Sequence, residues 1–304
     1  MTATSASRLP LDQRLTVIIP SYQRGTTLRR ALESVAGQGH VPSVVVVDDG
    51  SDPPVVIGDM AVPVASHRLE RNRGGSAARN AGVGVARTPW ITFLDDDDEW
   101  LPGTGELLHR VLPDAADEAV SYVSALEVVD GMGRVMEVRR PETREEGERY
   151  FLEDFAAGSS PLTKQTFVVP RGLYLSIGGF DEDLRSRVHS EFSLRLNAAS
   201  RVVALPDVTY RLHKHSGPQV SKNPALRHQS FRHIWRKHRR AMRERPLGAV
   251  KWAGAHARRC LADGQGVAAL GTVWRAFTLS PATLARMSTG KVWRRVRRML
   301  LRQA

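Results

Sequence analysis

The chain has a single cysteine, Cys260, among 304 residues. That excludes an intrachain disulfide and any cysteine-rich zinc site. Long apolar runs are missing too, and no stretch approaches the roughly 18 residues that a membrane-spanning helix needs. The opening MTATSASRLPLDQRL lacks the basic start and apolar core of a secretory signal. Acidic residues nearly vanish toward the end. From Arg227 onward there are 19 Lys and Arg against 2 Asp and Glu, whereas Met1 to Leu226 carries 25 against 30. The net charge of +12 therefore belongs to the last quarter alone. This division predicts a mildly acidic body, 1–226, and a basic helical C-terminal region, 227–304. It argues against a chain wrapped throughout by nucleic acid. A soluble cytoplasmic protein is expected.

What is present has a clear order. With 41% hydrophobic residues, the chain can bury one large core or two modest ones. RLTVIIPSY supplies a strand at 15–19 that Pro20 should stop. TTLRRALESV has apolar residues at helical spacing, with Thr26 or Thr27 as N-cap. SVVVVDDGS is a β-branched run, expected to be a strand buried on both faces. A short strand near 62–66 follows. NRGGSAARNAGVGVA reads as a glycine loop feeding a helix that Pro89 ends, and WITFL is the next strand. Alternation of this kind predicts an α/β fold, a Rossmann-like and mostly parallel sheet flanked by helices. The first half would span about 14–100 and the second half about 101–226. In the second half a hairpin turns at Asp130–Gly133. A strand, a short helix and a double-glycine turn come next, then a helical stretch at SEFSLRLNAA and a last strand at VTYRLHKHSG.

WITFL runs directly into DDDDEW. Two carboxylates about 6 Å apart repel by roughly 3 kcal/mol at an effective dielectric near 20. A solvated acidic turn would screen that repulsion; a divalent cation would cancel it. Position separates the two readings. Ligands of such sheets bind beyond the carboxyl ends of the strands. PSYQR, DDGSD and DDDDEW all sit at those ends, so the aspartates are placed as a site.

Taken together, VIIPSYQR, VVVVDDGS, NRGGSAARNAG, FLDDDDEW, GGFDEDL and YRLH resemble, in order, the motifs of the family 2 glycosyltransferases, inverting enzymes of the GT-A fold. The resemblance covers roughly 14–221. It implies a donor site for a nucleoside-diphosphate sugar, most simply a UDP-sugar, and an acceptor that is a glycan or lipid-linked. Pro20 and Tyr22 would line the nucleoside pocket, and Asp49 would accept from the base. Asn72, Gly74, Gly75 and Arg79 match the loop near ribose and diphosphate. Asp95 and Asp97 match a D-x-D pattern that holds Mg²⁺ or Mn²⁺, with His213 beside the metal. Asp96 and Asp98 are surplus to the pattern, and Asp96 is assigned to the donor side. Gly178 and Gly179 would underlie the acceptor.

The family's usual Glu–Asp pair, whose Asp is the base, falls on Val188–His189 when Leu194–Arg195 is held in register. Register then favours His189 as the base, with Glu191 two residues on as the carboxylate alternative, and Glu191 is the expected base. Chemical type favours Glu191; its alternative is pairing with Arg187 or Arg195. Two other classes compete with this reading. A nucleotidyltransferase would carry a glycine-rich basic loop after the first strand, which IIPSYQRG lacks. A membrane or nucleic-acid adaptor would use only the basic tail, and no nucleic acid is expected. In KVWRRVRRMLLR, Val292, Trp293, Val296, Met299 and Leu300 recur at helical spacing between arginines. That pattern predicts docking at an anionic membrane surface, with packing on the catalytic domain as its alternative.

Overall fold

The computed structural model describes residues 8–148, 163–214 and 223–288. These fall into two compact units, one covering the described residues through Lys214 and the other those from Asn223. The Arg-rich pattern at 292–300 and His215 lie outside the described residues.

The first unit begins with a helical turn, α1 (Leu11–Arg14), and strand β1 (Leu15–Ser21), followed by α2 (Gly25–Ala36) and β2 (Ser43–Asp48). Then come β3 (Val64–Arg68), α3 (Gly75–Val85), β4 (Trp90–Phe93), the two-residue β5 (Glu99–Trp100) and α4 (Thr104–Val111). The second half adds β6 (Val120–Val129), β7 (Val135–Arg139), β8 (Val168–Pro170), α5 (Arg171–Ser176), α6 (Val188–Ala199) and β9 (Arg201–His213). Among the described residues, nine strands join one sheet in the order β3-β2-β1-β4-β8-β6-β9-β5, with β7 on β6.

The sheet is mixed. β1 pairs in parallel with β2 and β4, and β2 with β3. Beyond β4 the chain turns over: β8 is antiparallel to β4 and β6, while β9 runs parallel to β6. The expected parallel character therefore holds for the half built from strand–helix crossovers. It lapses where the β6–β7 hairpin and the short β8 replace them.

Alternation along β1 and β2 explains their unbroken apolar character. Leu15, Val17, Ile19, Val44 and Val46 face one core, with Leu28, Leu32 and Val35 of α2. Ile18, Val45 and Val47 face the other, with Ala78 and Val83 of α3. A strand covered on both sides has no polar face to show. Pro20 does not end β1, which runs on to Ser21 in register with Asp48. Its missing N–H matters little so close to the end of the ladder. Thr26 and Thr27 fall inside the first turn of α2, not at its N-cap; Arg24 takes that position in extended conformation after Gln23, whose φ is 55°.

The second unit is helical: α7 (Pro224–Lys237), α8 (Arg239–Glu244), α9 (Pro246–Ala262), α10 (Gly266–Leu279) and α11 (Pro281–Ser288). Asn223 caps α7 by accepting from the N–H groups of Ala225 and Leu226, with Pro224 in the first turn. Its core is aromatic. Phe231 lies 4.4 Å from Trp252 and 4.1 Å from His256 between ring centroids. Asp263, one of the region's few acids, is spent internally as an ion-pair partner of Arg227 and Arg259.

Candidate active site

The carboxyl ends of β1, β2 and β4 supply Ser21, Asp48 and the Asp95–Asp98 run. Each of the four aspartates has a different neighbour. Asp95 is paired with Arg79, which projects from α3 and also lies over the Phe180 ring, 5.7 Å from its centroid. Asp96 accepts from the Ser21 hydroxyl at 2.7 Å and pairs with Arg24 at 3.4 Å. Asp97 takes Arg24 on its side chain, while its carbonyl accepts from Arg30 at 2.7 Å. Asp98 accepts from the Tyr210 hydroxyl at 2.7 Å and from the His213 N–H at 2.9 Å.

These neighbours set the protonation. Burial raises the Asp95 carboxyl, but Arg79, His189 and Arg24 outweigh it and hold it below its usual range. Burial pushes Asp96 up to about 6 against the pull of Ser21 and Arg24. Burial, with Asp95 and Asp97 alongside, drives Asp98 well above the carboxylate range. Charge is crowded here beyond what two arginines offset.

Oxygens of Asp95, Asp97 and Asp98 lie within 4.8 Å of one another. A set of hard carboxylate oxygens fits Mg²⁺ or Mn²⁺ and suits a soft ion poorly. The Arg24 guanidinium, with a side chain 46% exposed, already puts positive charge on Asp97. Asp98 faces inward with the D-x-D pair, although the pattern leaves it over. His213 approaches the cluster through its backbone N–H; its ring meets Glu99, with Nε2 2.6 Å from the carboxylate.

The loop before α3 is held by Asp49. Its two oxygens accept from the N–H groups of Arg73 and Gly74, both at 2.7 Å. Asp48 works on the other side, accepting from Ser51 N–H at 2.8 Å and Val55 N–H at 3.1 Å, beside Arg68. Gly50 has φ +74°, and a Cβ there would come within 2.5 Å of the Arg71 backbone, so the turn into this loop requires glycine. Pro20 is buried, Tyr22 is 40% exposed at the end of β1, and Asn72 and Gly75 are exposed on the loop.

Asn80, passed over in the motif, joins the two halves of the unit. Its Oδ1 accepts from the Tyr174 hydroxyl at 2.5 Å and the Phe180 N–H at 2.9 Å. Its Nδ2 donates to the Phe180 carbonyl and to Glu182, each at 2.9 Å. The turn it grips contains Gly178 and Gly179, both at positive φ, and a Cβ on Gly179 would sit 2.7 Å from Asn80 Oδ1. Sequence offers one signal for Asn80: it follows Arg79 on a helix leaving a glycine loop.

Of the two candidate bases on α6, Glu191 is fully buried. Arg195, four residues on, donates to both its oxygens at 2.8 and 2.6 Å, and to the Ile177 carbonyl at 2.6 Å. His189 is half-buried, edge-on to Phe180 at 5.2 Å, and close enough to Asp95 to lower its pKa.

Elsewhere, His228, His256 and Cys260 also bring ligand-type atoms together. The two imidazole planes differ by 4°, their centroids are 5.4 Å apart and the facing nitrogens 3.1 Å. The nitrogens therefore lie in line between the rings, the geometry of an in-plane N–H···N hydrogen bond.

The family model described as "Glycosyl transferase family 2" matches residues 16–166, the span that carries the Asp run and both loops. The chain belongs to glycosyl transferase family 2. It is 38% identical over 172 residues to the succinoglycan biosynthesis protein ExoO of Rhizobium meliloti, covering 55% of this chain and 45% of that protein. An uncharacterized glycosyltransferase of Haemophilus influenzae is 29% identical over 184 residues, 60% of this chain and 61% of its own length. The match thus spans about half to three-fifths of these relatives. Among solved structures, S. aureus TarS 1–349 in complex with UDP-GlcNAc aligns with TM-score 0.53 at 21% identity, over 73% of this chain and 65% of that 1–349 chain. That likeness fixes the GT-A fold of this family 2 member. No described helix is long and apolar enough to cross a membrane.

Proposed function

We propose that the chain transfers one sugar from a nucleoside-diphosphate donor, a UDP-sugar, to a hydroxyl of a glycan or lipid-linked acceptor, with inversion and metal assistance. The observation that carries this reading is the convergence of Asp95, Asp97 and Asp98 beyond the carboxyl ends of parallel strands. The place of ExoO in succinoglycan biosynthesis and the UDP-GlcNAc bound to TarS support the substrate class. Work on cell-surface polysaccharide or glycoconjugate fits it.

Asp95 and Asp97, with Asp98 behind them, would hold Mg²⁺ or Mn²⁺. Such an ion, when bound, neutralises charge that develops on the departing nucleoside diphosphate. Arg79 keeps Asp95 deprotonated for that task. Pro20 and Tyr22 offer the wall for the nucleoside, and Asp49 fixes the loop carrying Asn72, Gly74 and Gly75. Asp96 can turn toward the donor from its bond to Ser21.

The acceptor hydroxyl loses its proton as its oxygen attacks the anomeric carbon, and the bond to the diphosphate oxygen breaks on the opposite face. His189 takes that proton on an imidazole nitrogen. It occupies the family's base register, it sits near Asp95, and an imidazole nitrogen can accept a proton without a metal or a second base. Glu191, the alternative by chemical type, is occupied by Arg195 and removed from solvent. It acts as a strut that holds the Gly178–Gly179 turn through Arg195.

Donor turnover tests the reading. Hydrolysis of a panel of nucleotide sugars should require Mg²⁺ or Mn²⁺ in wild type and collapse in Asp97→Ala. Full activity in chelator would sink the metal assignment, and no turnover of any donor would sink the transferase.

A further inference from the structure

Helix α10 inverts the usual layout of a surface helix. Its inward residues are small: Ala269, Thr272 and Ala276 are buried. The large ones point out, with Val267 87% exposed, Leu270 53%, Trp274 64% and Phe277 44%. Steps of three, four and three residues align them in one stripe. Trp274 and Phe277 stack at its end with ring centroids 5.5 Å apart. Arg275 is the helix's only charged residue. Single exposed apolar residues need no explanation, whereas a continuous stripe ending in two aromatics does.

The region around it supplies the second half of the argument. From Arg227 to the end, basic residues outnumber acidic ones 19 to 2. Arg236, Lys237, Arg239, Arg240, Arg243 and Lys251 are all exposed. A second copy of this unit would bring the same excess of positive charge against itself. The Arg-rich sequence after residue 290 carries that sign too. Nucleic acid satisfies the charge but offers phosphates to Val267 and Leu270. An anionic lipid surface satisfies both, with headgroups for the arginines and an acyl boundary for the stripe.

We propose that α10 docks this chain on anionic lipid, with Trp274 and Phe277 entering the boundary between headgroups and acyl chains. The proposal rests on the lipid-linked acceptor in the reading above and gives it a place to be met.

The test uses the full chain and vesicles of phosphatidylcholine alone or mixed with phosphatidylglycerol. Wild type should sediment with the mixed vesicles and far less with the neutral ones. The double variant Trp274→Ser/Phe277→Ser should bind the mixed vesicles about tenfold more weakly or worse, since interfacial binding scales with buried apolar area. Equal sedimentation of variant and wild type overturns the proposal, as does failure of wild type to bind. So does a wild-type oligomer in buffer that the variant turns into monomer, because the stripe is then a protein interface. Donor hydrolysis without vesicles is measured on the same samples. Loss of lipid binding with hydrolysis intact supports docking, and absent hydrolysis counts against the transferase reading alone.

Discussion

The end of β4 and the basic helical unit are the two places where like charge accumulates, and they handle it in opposite ways. Asp95 to Asp98 are packed together and half or wholly buried, with Arg24 and Arg79 drawn onto them. The arginines of α7 to α9 are spread over exposed positions, and the core beneath them is aromatic. Burying like charge is costly unless something is bound there. Spreading it in water is nearly free. In the proposed reading, concentration suits a counter-ion and dispersion suits a charged plane.

The comparison breaks first at the acidic end. Asp97→Ala should lower sugar transfer by about 10²-fold or more at saturating donor and metal, because the lost interaction belongs to the transition state. His189→Ala should cost about 10²- to 10⁴-fold in kcat with donor affinity nearly unchanged, the range for a general base. Donor affinity is read by calorimetry and transfer by product formation. A wild-type rate in His189→Ala would remove it from the chemistry.

Glu191 sharpens the contrast between a charge that is bound and one that reacts. Glu191→Ala leaves Arg195 without its buried partner, and about 3–5 kcal/mol of stability should go with it. Chemical denaturation checks this. Activity per folded molecule should fall far less than in His189→Ala.

Asp96 gives a pH signature. Its pKa is raised on folding, so its favourable contribution is complete below about pH 4 and is lost as pH rises through about 6. In chelator, Asp96→Asn should therefore be more stable than wild type at pH 7, by up to about 3 kcal/mol for a shift of roughly two units. At pH 3.5 the two should melt alike to within about 0.5 kcal/mol. A variant less stable at pH 7 contradicts the burial account.

The smallest effect belongs to the basic unit. Trp274→Ser/Phe277→Ser removes exposed groups only, so thermal stability in buffer should change by less than about 0.5 kcal/mol. A large loss would mean that the stripe is covered by protein.

Much of this is legible in the sequence. Strand ends gather ligand residues in an α/β sheet, so motif order was enough to place the Asp run, the Asp49 turn and the glycine loop. What escaped depended on contacts distant in sequence. Asp98 looked redundant beside a D-x-D pattern; its place is set by Tyr210 and His213, more than 110 residues away. His213 matched the motif by type, yet β9 lies against β5 and delivers its ring to Glu99. Glu191 carried a local signal, an i,i+4 arginine, that chemical type outweighed. Pro20 was read as a stop because proline rarely sits inside a sheet, a rule that weakens at a strand's last residues.

Asn80 carries a consequence for anyone rebuilding this chain. A side chain rooted in helix α3 grips the backbone after the Gly178–Gly179 turn at both the N–H and the carbonyl of Phe180. The two halves are therefore not interchangeable cartridges. A chimaera that grafts a relative's second half onto this first half must carry a matching residue at 80 and a hydroxyl at 174, or the grafted turn will arrive without its clasp.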